Sequence, residues 1–127
     1  MEGAALNSYG EDYDFEGKVF NANMKYSVFG TSINYLIENN ILELPDYIKI
    51  DVDGIEHLIL EGASKVLKNK KIKSLSIEIN ENFKDQYNKV LQIMNESGFK
   101  LLHKKHYHSC KDQNNKFVKT FNYVFKK

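Results

Sequence analysis

Four acidic side chains stand where short predicted strands end, at Asp51, Asp53, Glu56 and Glu78. Asp51 lies near the end of the β-branched run 47–52, and Asp53 and Glu56 come from the turn that follows it. Glu78 lies near the end of a strand predicted over 73–79. If these strands are parallel neighbours, their carboxyl ends meet at one edge of a sheet. Carboxylates held close together raise each other's pKa unless a cation, a helix N-terminus or hydrogen bonds offset the repulsion. Such a cluster can act as a general base or hold a hard divalent ion.

A purely structural interpretation of the same residues stays open. In it, Asp51 accepts hydrogen bonds from loop amides, and Glu56 only interacts with the positive end of the helix that it begins. The spacing alone does not decide between the two interpretations.

Hydrophobic periodicity predicts the elements that would position these side chains. Residues 1–30 are rich in Gly, Asn, Asp and Ser and predict an irregular segment, with a short strand near 18–20. Residues 31–127 form the folded part. Three helices are predicted there. The first is capped by Thr31 or Ser32 and ends near 39–40, and the others are 55–67 and 84–97. The predicted strands are 47–52, 73–79, 99–106 and 120–125. Strand–helix–strand repetition predicts an α/β fold with a mixed, mostly parallel sheet and an antiparallel terminal strand pair.

The side chains expected to face the core follow the periods of these elements. The 73–79 strand alternates apolar and polar residues, and the 84–97 helix carries an apolar stripe. Gly98 stands where a left-handed residue closes a helix. The expected core residues are Leu75, Ile77 and Ile79 on the strand and Tyr87, Val90, Leu91 and Met94 on the helix.

Composition narrows the classes of protein. A chain of 127 residues with a net charge of +1 is the size of one domain and carries no excess of positive charge for nucleic acid. The single cysteine, Cys110, cannot form an internal disulfide, which favours a reducing compartment. No apolar run is long enough to span a bilayer, and no secretory signal is recognisable. We therefore expect a cytoplasmic protein without a membrane or nucleic-acid partner.

The run His103, His106, His108 and Cys110 offers potential zinc ligands within eight residues. Structural zinc sites draw their ligands from separated knuckles or a helix pair, whereas this run lies on a predicted strand and the loop after it. Exposed histidines on an edge strand are the favoured interpretation, and no metal site is predicted. A divalent ion at the carboxylates is compatible with the residue types but not expected.

Three stretches resemble the FkbM family of S-adenosylmethionine-dependent methyltransferases. They are Pro45–His57, with its Lys-Ile-Asp-Val-Asp-Gly core, the helix start Leu58–Ala63, and the strand end Ser76–Asn80. The resemblance implies a Rossmann-like class I methyltransferase fold in which a methyl group passes from S-adenosylmethionine to an oxygen. The acceptors it implies are sugars, glycans or other hydroxylated small molecules.

The resemblance also implies roles for particular residues. Strand 47–52 corresponds to the fourth strand of the family's sheet and 73–79 to the fifth. The loop 7–14 is a candidate acceptor-facing segment, and His57 is expected at the surface or at the edge of the site. The implied site is catalytic Asp51, Glu56 and Glu78, cofactor-binding Asp51 and Asp53, and substrate-binding Lys49, His57, Asn7 and Ser8.

One departure from the family pattern is large. Glycines fall at 3, 10, 17, 30, 54, 62 and 98, so neither G-x-G-x-x-G nor a P-loop is present. The chain thus resembles the C-terminal half of a methyltransferase domain without its donor-binding half. We expect strand 47–52 to be an edge strand that promotes self-association or pairs with the missing half. The alternatives are a non-catalytic α/β interaction module, half of a split enzyme, and a metal-binding module.

Overall fold

The computed structural model describes residues 9–19, 21, 24–106 and 117–127 as a mixed α/β fold. A 3₁₀ turn, Val66–Lys68, follows the second helix. The remaining elements are, in chain order, α1 Ile33–Glu38, β1 Tyr47–Ile50, α2 Glu56–Glu61, β2 Ser74–Asn80, α3 Lys84–Glu96, β3 Lys100–His106 and β4 Thr120–Lys126. Apart from α2, these bounds agree with the predicted ones within one or two residues. Near 18–20 the structure has an isolated bridge between Tyr13 and Val19 in place of a strand, and residue 20 lies outside the described residues.

The four strands form one sheet in the order β1-β2-β4-β3. Strands β1 and β2 pair in parallel, which confirms that the two strands bearing the carboxylates are neighbours. β4 then pairs antiparallel with both β2 and β3. The expectation of a mostly parallel sheet is therefore wrong for the described residues. The reason is that the chain places its last strand between β2 and β3, so β2 has one parallel and one antiparallel partner.

One face of the sheet carries the hydrophobic core. Leu75 and Ile77 on β2 stand opposite Phe125 and Tyr123 on β4, and all four are buried. The predicted inward stripe of α3 is confirmed, since Val90 and Met94 are buried while Tyr87 and Leu91 pack partly buried against the core. The other face of β2 presents Ser74, Ser76 and Glu78, which are only partly buried. The alternation seen in the sequence thus separates an apolar face from a polar one.

Helix α2 ends six residues earlier than periodicity predicts. A continuing helix would use the Gly62 carbonyl to accept from the Val66 amide. Instead, that carbonyl accepts from the Asn34 amide at 2.9 Å, and the Asn34 side chain accepts from the Lys65 and Val66 amides at 3.2 Å each. Asn34 lies on α1, whose own start is capped by Ser32 as predicted. A tertiary contact has therefore replaced the last turns of α2.

The end of α3 is closed as predicted at Gly98, whose φ is 80°. The Gly98 amide donates to Asn95, and the Phe99 amide donates to Met94 at 2.9 Å. This pair of bonds satisfies carbonyls at the helix end and turns the chain toward β3.

Within the part of the chain that the structure describes, no helix is long and apolar enough to cross a bilayer.

Candidate functional site

Asp51 and Glu78 meet at the carboxyl edge of the β1–β2 pair. The parallel register sets Ile50 on β1 beside Ile77 on β2. The residues that follow these two in the sequence are Asp51 and Glu78. Burial is the largest cause of the raised pKa of Glu78, followed by the Asp51 charge, and the Asp53 charge adds to the rise. The nearby Lys49 charge lowers this pKa. The structure therefore brings Asp51 and Asp53 within electrostatic reach of Glu78. Glu78 in turn lies within electrostatic reach of Glu56.

Lys49 pairs with Asp51 across a Nζ–O distance of 2.6 Å. Both side chains are substantially exposed, so the ion pair adds little to stability. Its consequence is local, because the ammonium partly offsets the negative charge at this edge of the sheet. Lys49 thus lies beside the predicted catalytic residue, on the polar face of β1.

Glu56 is buried rather than exposed at the edge, which corrects the expected placement. Only 2% of its surface is exposed, and its carboxylate accepts a short hydrogen bond from the Gln86 side-chain amide on α3. The pKa of Glu56 is raised to about 8, chiefly by burial. Backbone hydrogen bonds from Glu56, Gly54 and Val52 lower this pKa, and the Glu78 charge raises it. A carboxyl with this pKa is mostly protonated at neutral pH.

A cavity of about 20 Å³ lies between Glu56 and the carboxylate edge. Its inner wall consists of four buried polar side chains, Glu56, Asn80, Gln86 and Thr120. Its outer wall consists of Phe15, Val52, Asp53, Gly54, Glu78 and Phe117. A volume of this size holds about one water-sized group. Gln86 Oε1 and Thr120 Oγ1 are buried and have no hydrogen-bond partner among the described residues.

The segment 13–18 covers one side of this cavity. The Asn80 side-chain amide donates to the Phe15 carbonyl at 3.2 Å, and the Phe15 ring lies 5.5 Å from that of Phe117. Gly54 permits the approach, because a Cβ there would lie 2.9 Å from the Phe15 Cα. The end of the loop predicted to face the acceptor therefore does lie near the carboxylates. Its other predicted residues, Asn7 and Ser8, lie outside the described residues.

The prediction that His57 lies at the surface or at the edge of the site is wrong. Only 5% of its surface is exposed, and its ring packs edge-on against Phe83 with the centroids 6.2 Å apart. The reason is that α2 packs against α3, so the first turn of α2 points inward. Burial, followed by the Lys89 charge, lowers the pKa of His57, while Glu61 opposes the change. His57 Nδ1 has no hydrogen-bond partner among the described residues.

The histidine run gives no metal site in the structure as described. His103 and His106 lie exposed on β3, an edge strand of the sheet, as the favoured interpretation predicted. His108 and Cys110 lie outside the described residues. Among residues 9–106 and 117–127, apart from the undescribed positions, no group of three or more His, Cys, Asp or Glu side chains could hold a metal ion.

Sequence reasoning missed the inner wall of the cavity. Gln86 stands four residues before Val90 and eight before Met94, so it occupies a core-facing position of the α3 stripe. A polar residue at such a position is a recognisable signal, because buried polar side chains require partners. Asn80 and Thr120 pair across β2 and β4. Their meeting depends on the strand order and has no local signal.

We expect Glu56 to make the free energy of unfolding fall as pH rises between about 4.5 and about 8. In this interval the folded protein holds the Glu56 proton and the unfolded chain has lost it. The stabilisation is complete below the unfolded pKa and is lost as pH passes through the folded one. The expected slope is about 1.4 kcal/mol per pH unit at most. Urea unfolding at several pH values measures it.

Glu56→Gln is the matched control for this pH dependence, since it keeps the shape and cannot titrate. The difference in stability between wild type and variant should change across the interval, while contributions from Asp46 and Glu81 cancel. Parallel stability profiles for the two proteins would contradict the buried, protonated state of Glu56.

Comparison with known protein families gives a match for this chain. A family model described as the methyltransferase FkbM domain matches residues 10–101, well over half of the 127-residue chain. The matched range contains β1, β2 and all four carboxylates. No curated protein and no solved structure matches the chain significantly. The mixed α/β sheet with acidic residues at its edge is compatible with a methyltransferase-like fold. The chain belongs to the FkbM family of methyltransferase domains.

Proposed function

We propose that the chain takes part in methyl transfer from S-adenosylmethionine to a hydroxyl of a sugar or another hydroxylated small molecule. The observation that carries the proposal is the parallel β1–β2 pair, which brings Asp51 beside Glu78 inside the range matched by the family model. The acceptor and the oxygen chemistry follow the resemblance of 45–57 to the family's acidic segment.

The strand order supports a Rossmann-like class I arrangement. With β1 and β2 as the fourth and fifth strands of such a sheet, β4 and β3 are its antiparallel terminal pair, and the order β1-β2-β4-β3 follows. In this arrangement, the outer edge of β1 is the side on which a donor-binding half would pair. We propose that polypeptide outside these 127 residues supplies the glycine-rich turn for the donor.

The residues present fit the reactive end of S-adenosylmethionine better than its nucleoside. The carboxylates Asp51, Asp53 and Glu78 suit a positively charged sulfonium. Gly54 does not offer a ligand cradle, because Phe15 already occupies the space beside it. S-adenosylmethionine, when bound, supplies an electrophilic methyl group.

Asp51 has the position and chemistry of a general base. It is at the carboxyl edge, partly exposed, and paired with Lys49. A carboxylate that accepts the proton of an acceptor hydroxyl makes the oxygen a better nucleophile. Glu78 beside it, with its raised pKa, can share that proton. Glu56 lies deeper and is positioned by Gln86, so we assign it to the polar floor of the site.

Isothermal calorimetry with S-adenosylmethionine tests this function directly. We expect weak but saturable binding by the chain, because the carboxylates attract the sulfonium. Asp51→Asn combined with Asp53→Asn should weaken it, and should weaken binding of uncharged S-adenosylhomocysteine less. Absence of saturable binding would contradict the contact between these residues and the donor.

A second candidate function, a non-catalytic interaction module, is favoured by the outer side of β1. This strand ends the sheet on one side, and its Tyr47 is 69% exposed. Unpaired backbone groups on an edge strand can pair with another chain. Sedimentation over a range of concentrations should detect association, and Ile48→Pro should reduce it. A monodisperse monomer at all concentrations would contradict this candidate.

A further inference from the structure

The cavity beneath the carboxylate edge has hydrogen-bonding capacity that the described chain does not use. Gln86 is 1% exposed and its side-chain amide donates to Glu56, while its Oε1 has no partner among the described residues. Within the part of the chain that the structure describes, Thr120 Oγ1 has no hydrogen-bond partner either. Buried polar atoms rarely lack a hydrogen-bond partner, because the free energy lost on removing the group from water is then not compensated. Two oxygens on the wall of one cavity therefore call for a hydrogen-bond donor inside it.

The charged side chains that line the cavity, among the described residues, are all acidic. Glu56 and Glu78 both line it, and so does Asp53. None of the described residues that line it is a lysine, arginine or histidine. The Coulombic repulsion among these groups contributes to the raised pKa values of Glu56 and Glu78. A cation placed there would relieve the repulsion, because an opposite charge favours the ionised carboxylate.

We propose that this cavity binds the primary ammonium group of a small ligand. Gln86 Oε1 and Thr120 Oγ1 would accept two of its hydrogens. The Glu56 carboxyl would release its proton to solvent on binding, and the resulting carboxylate would balance the ammonium charge.

An ammonium group fits the cavity better than the other small donors. It supplies three hydrogens in a water-sized volume, which matches a cavity of about 20 Å³. A hydroxyl donates only one hydrogen and brings no charge. A hard divalent ion such as Mg²⁺ or Ca²⁺ takes about six or more oxygen ligands at short distances. The described residues include no group of three or more acidic, histidine or cysteine side chains that could hold a metal ion. The walls therefore select for charge together with hydrogen-bond donation.

If the methyl acceptor carries this ammonium, the cavity anchors the acceptor below Asp51, and that step rests on the proposed function. The binding itself does not. It requires neither the methyl donor nor turnover, so it can be measured alone and can fail or succeed independently of methyl transfer.

The experiment is an NMR titration of the purified protein with methylammonium chloride, with methanol and potassium chloride at matched concentration and ionic strength as comparisons. We expect saturable shifts of the Gln86 side-chain amide and the Glu56 carboxyl carbon with methylammonium only. Binding of the cation should also lower the pH at which the Glu56 carboxyl titrates. The groups facing that carboxyl are Glu78 on β2, Asp53 in the turn and Tyr13 in the N-terminal segment, with neutral Gln86 on α3.

Glu56→Gln should weaken methylammonium binding about tenfold or more, because a charge-assisted contact is lost. Thr120→Val, which keeps the side-chain shape, should weaken it less. Glu96→Gln, on an exposed part of α3, should leave it unchanged. An equal response to methanol would show that the cavity binds neutral groups. A response to potassium would show that it binds metal cations, and no saturable response would show that it binds none of these ligands. Each of these three results overturns the proposal.

Discussion

Asp51→Asn is expected to lower methyl transfer by the assembled enzyme by about 10²–10⁴-fold, the usual contribution of a general base. The asparagine has nearly the same size but cannot take the proton of an acceptor hydroxyl. Asp51 is partly exposed and its ion pair with Lys49 is at the surface, so the fold should survive the change. Transfer of labelled methyl from S-adenosylmethionine measures the rate, and thermal unfolding verifies that the variant folds.

Glu96→Gln controls for the loss of a negative charge, since Glu96 is exposed at the end of α3 and does not line the cavity. It should keep full activity. If Asp51→Asn retained comparable turnover, Asp51 would have no part in proton transfer. Loss of activity together with loss of the folded state would assign it a structural role instead.

Gly54→Ala is expected to destabilise the protein by about 2–5 kcal/mol, from backbone strain and a steric clash together. Gly54 has a φ of 98°, which L side chains rarely adopt. The new Cβ would also lie 2.9 Å from the Phe15 Cα and 3.1 Å from the Asp14 carbonyl oxygen. Because these atoms belong to the backbone, the segment 13–18 would have to move away from the cavity. Urea unfolding measures the loss.

Gly98→Ala separates the two causes of that loss. Gly98 has a similar φ of 80°, but a Cβ there would meet nothing within 4 Å. It should cost only the strain, about 1 kcal/mol. Equal losses at Gly54 and Gly98 would indicate that Phe15 does not lie against the turn in solution. Opening of segment 13–18 should also increase proteolysis near Phe15 in the Gly54 variant only.

The sequence was most informative where a local pattern and its neighbours agree. The alternation of Leu75, Ile77 and Ile79 predicted both the bounds of β2 and its buried face. The β-branched run before Asp51 predicted the strand β1. The helix that separates β1 from β2 along the chain predicted that these two strands pair in parallel. Parallel pairing alone then brings Asp51 beside Glu78. That part of the candidate site therefore follows from residue pattern and chain connectivity.

The rest depends on contacts between distant parts of the chain. Their positions just after strand 47–52 predicted that Glu56 and His57 lie at the edge of the site, whereas the packing of α2 on α3 buries both. The length of α2 was overestimated because Asn34, more than twenty residues earlier in the chain, hydrogen-bonds to the Gly62 carbonyl and the Val66 amide. A longer α2 would use these two backbone groups for its own hydrogen bond. The meeting of Asn80 with Thr120 requires the strand order, which no local pattern specifies.

The strand order β1-β2-β4-β3 also has a consequence for synthesis on the ribosome. Strand β2 leaves the exit tunnel well before β4, its partner on one side, and β3 emerges between them without pairing to β2. The backbone groups along that side of β2 therefore remain unpaired until Thr120–Lys126 has left the tunnel. During this interval the nascent chain exposes a strand edge to incorrect pairing, and the sheet closes only when the last strand inserts between two earlier ones.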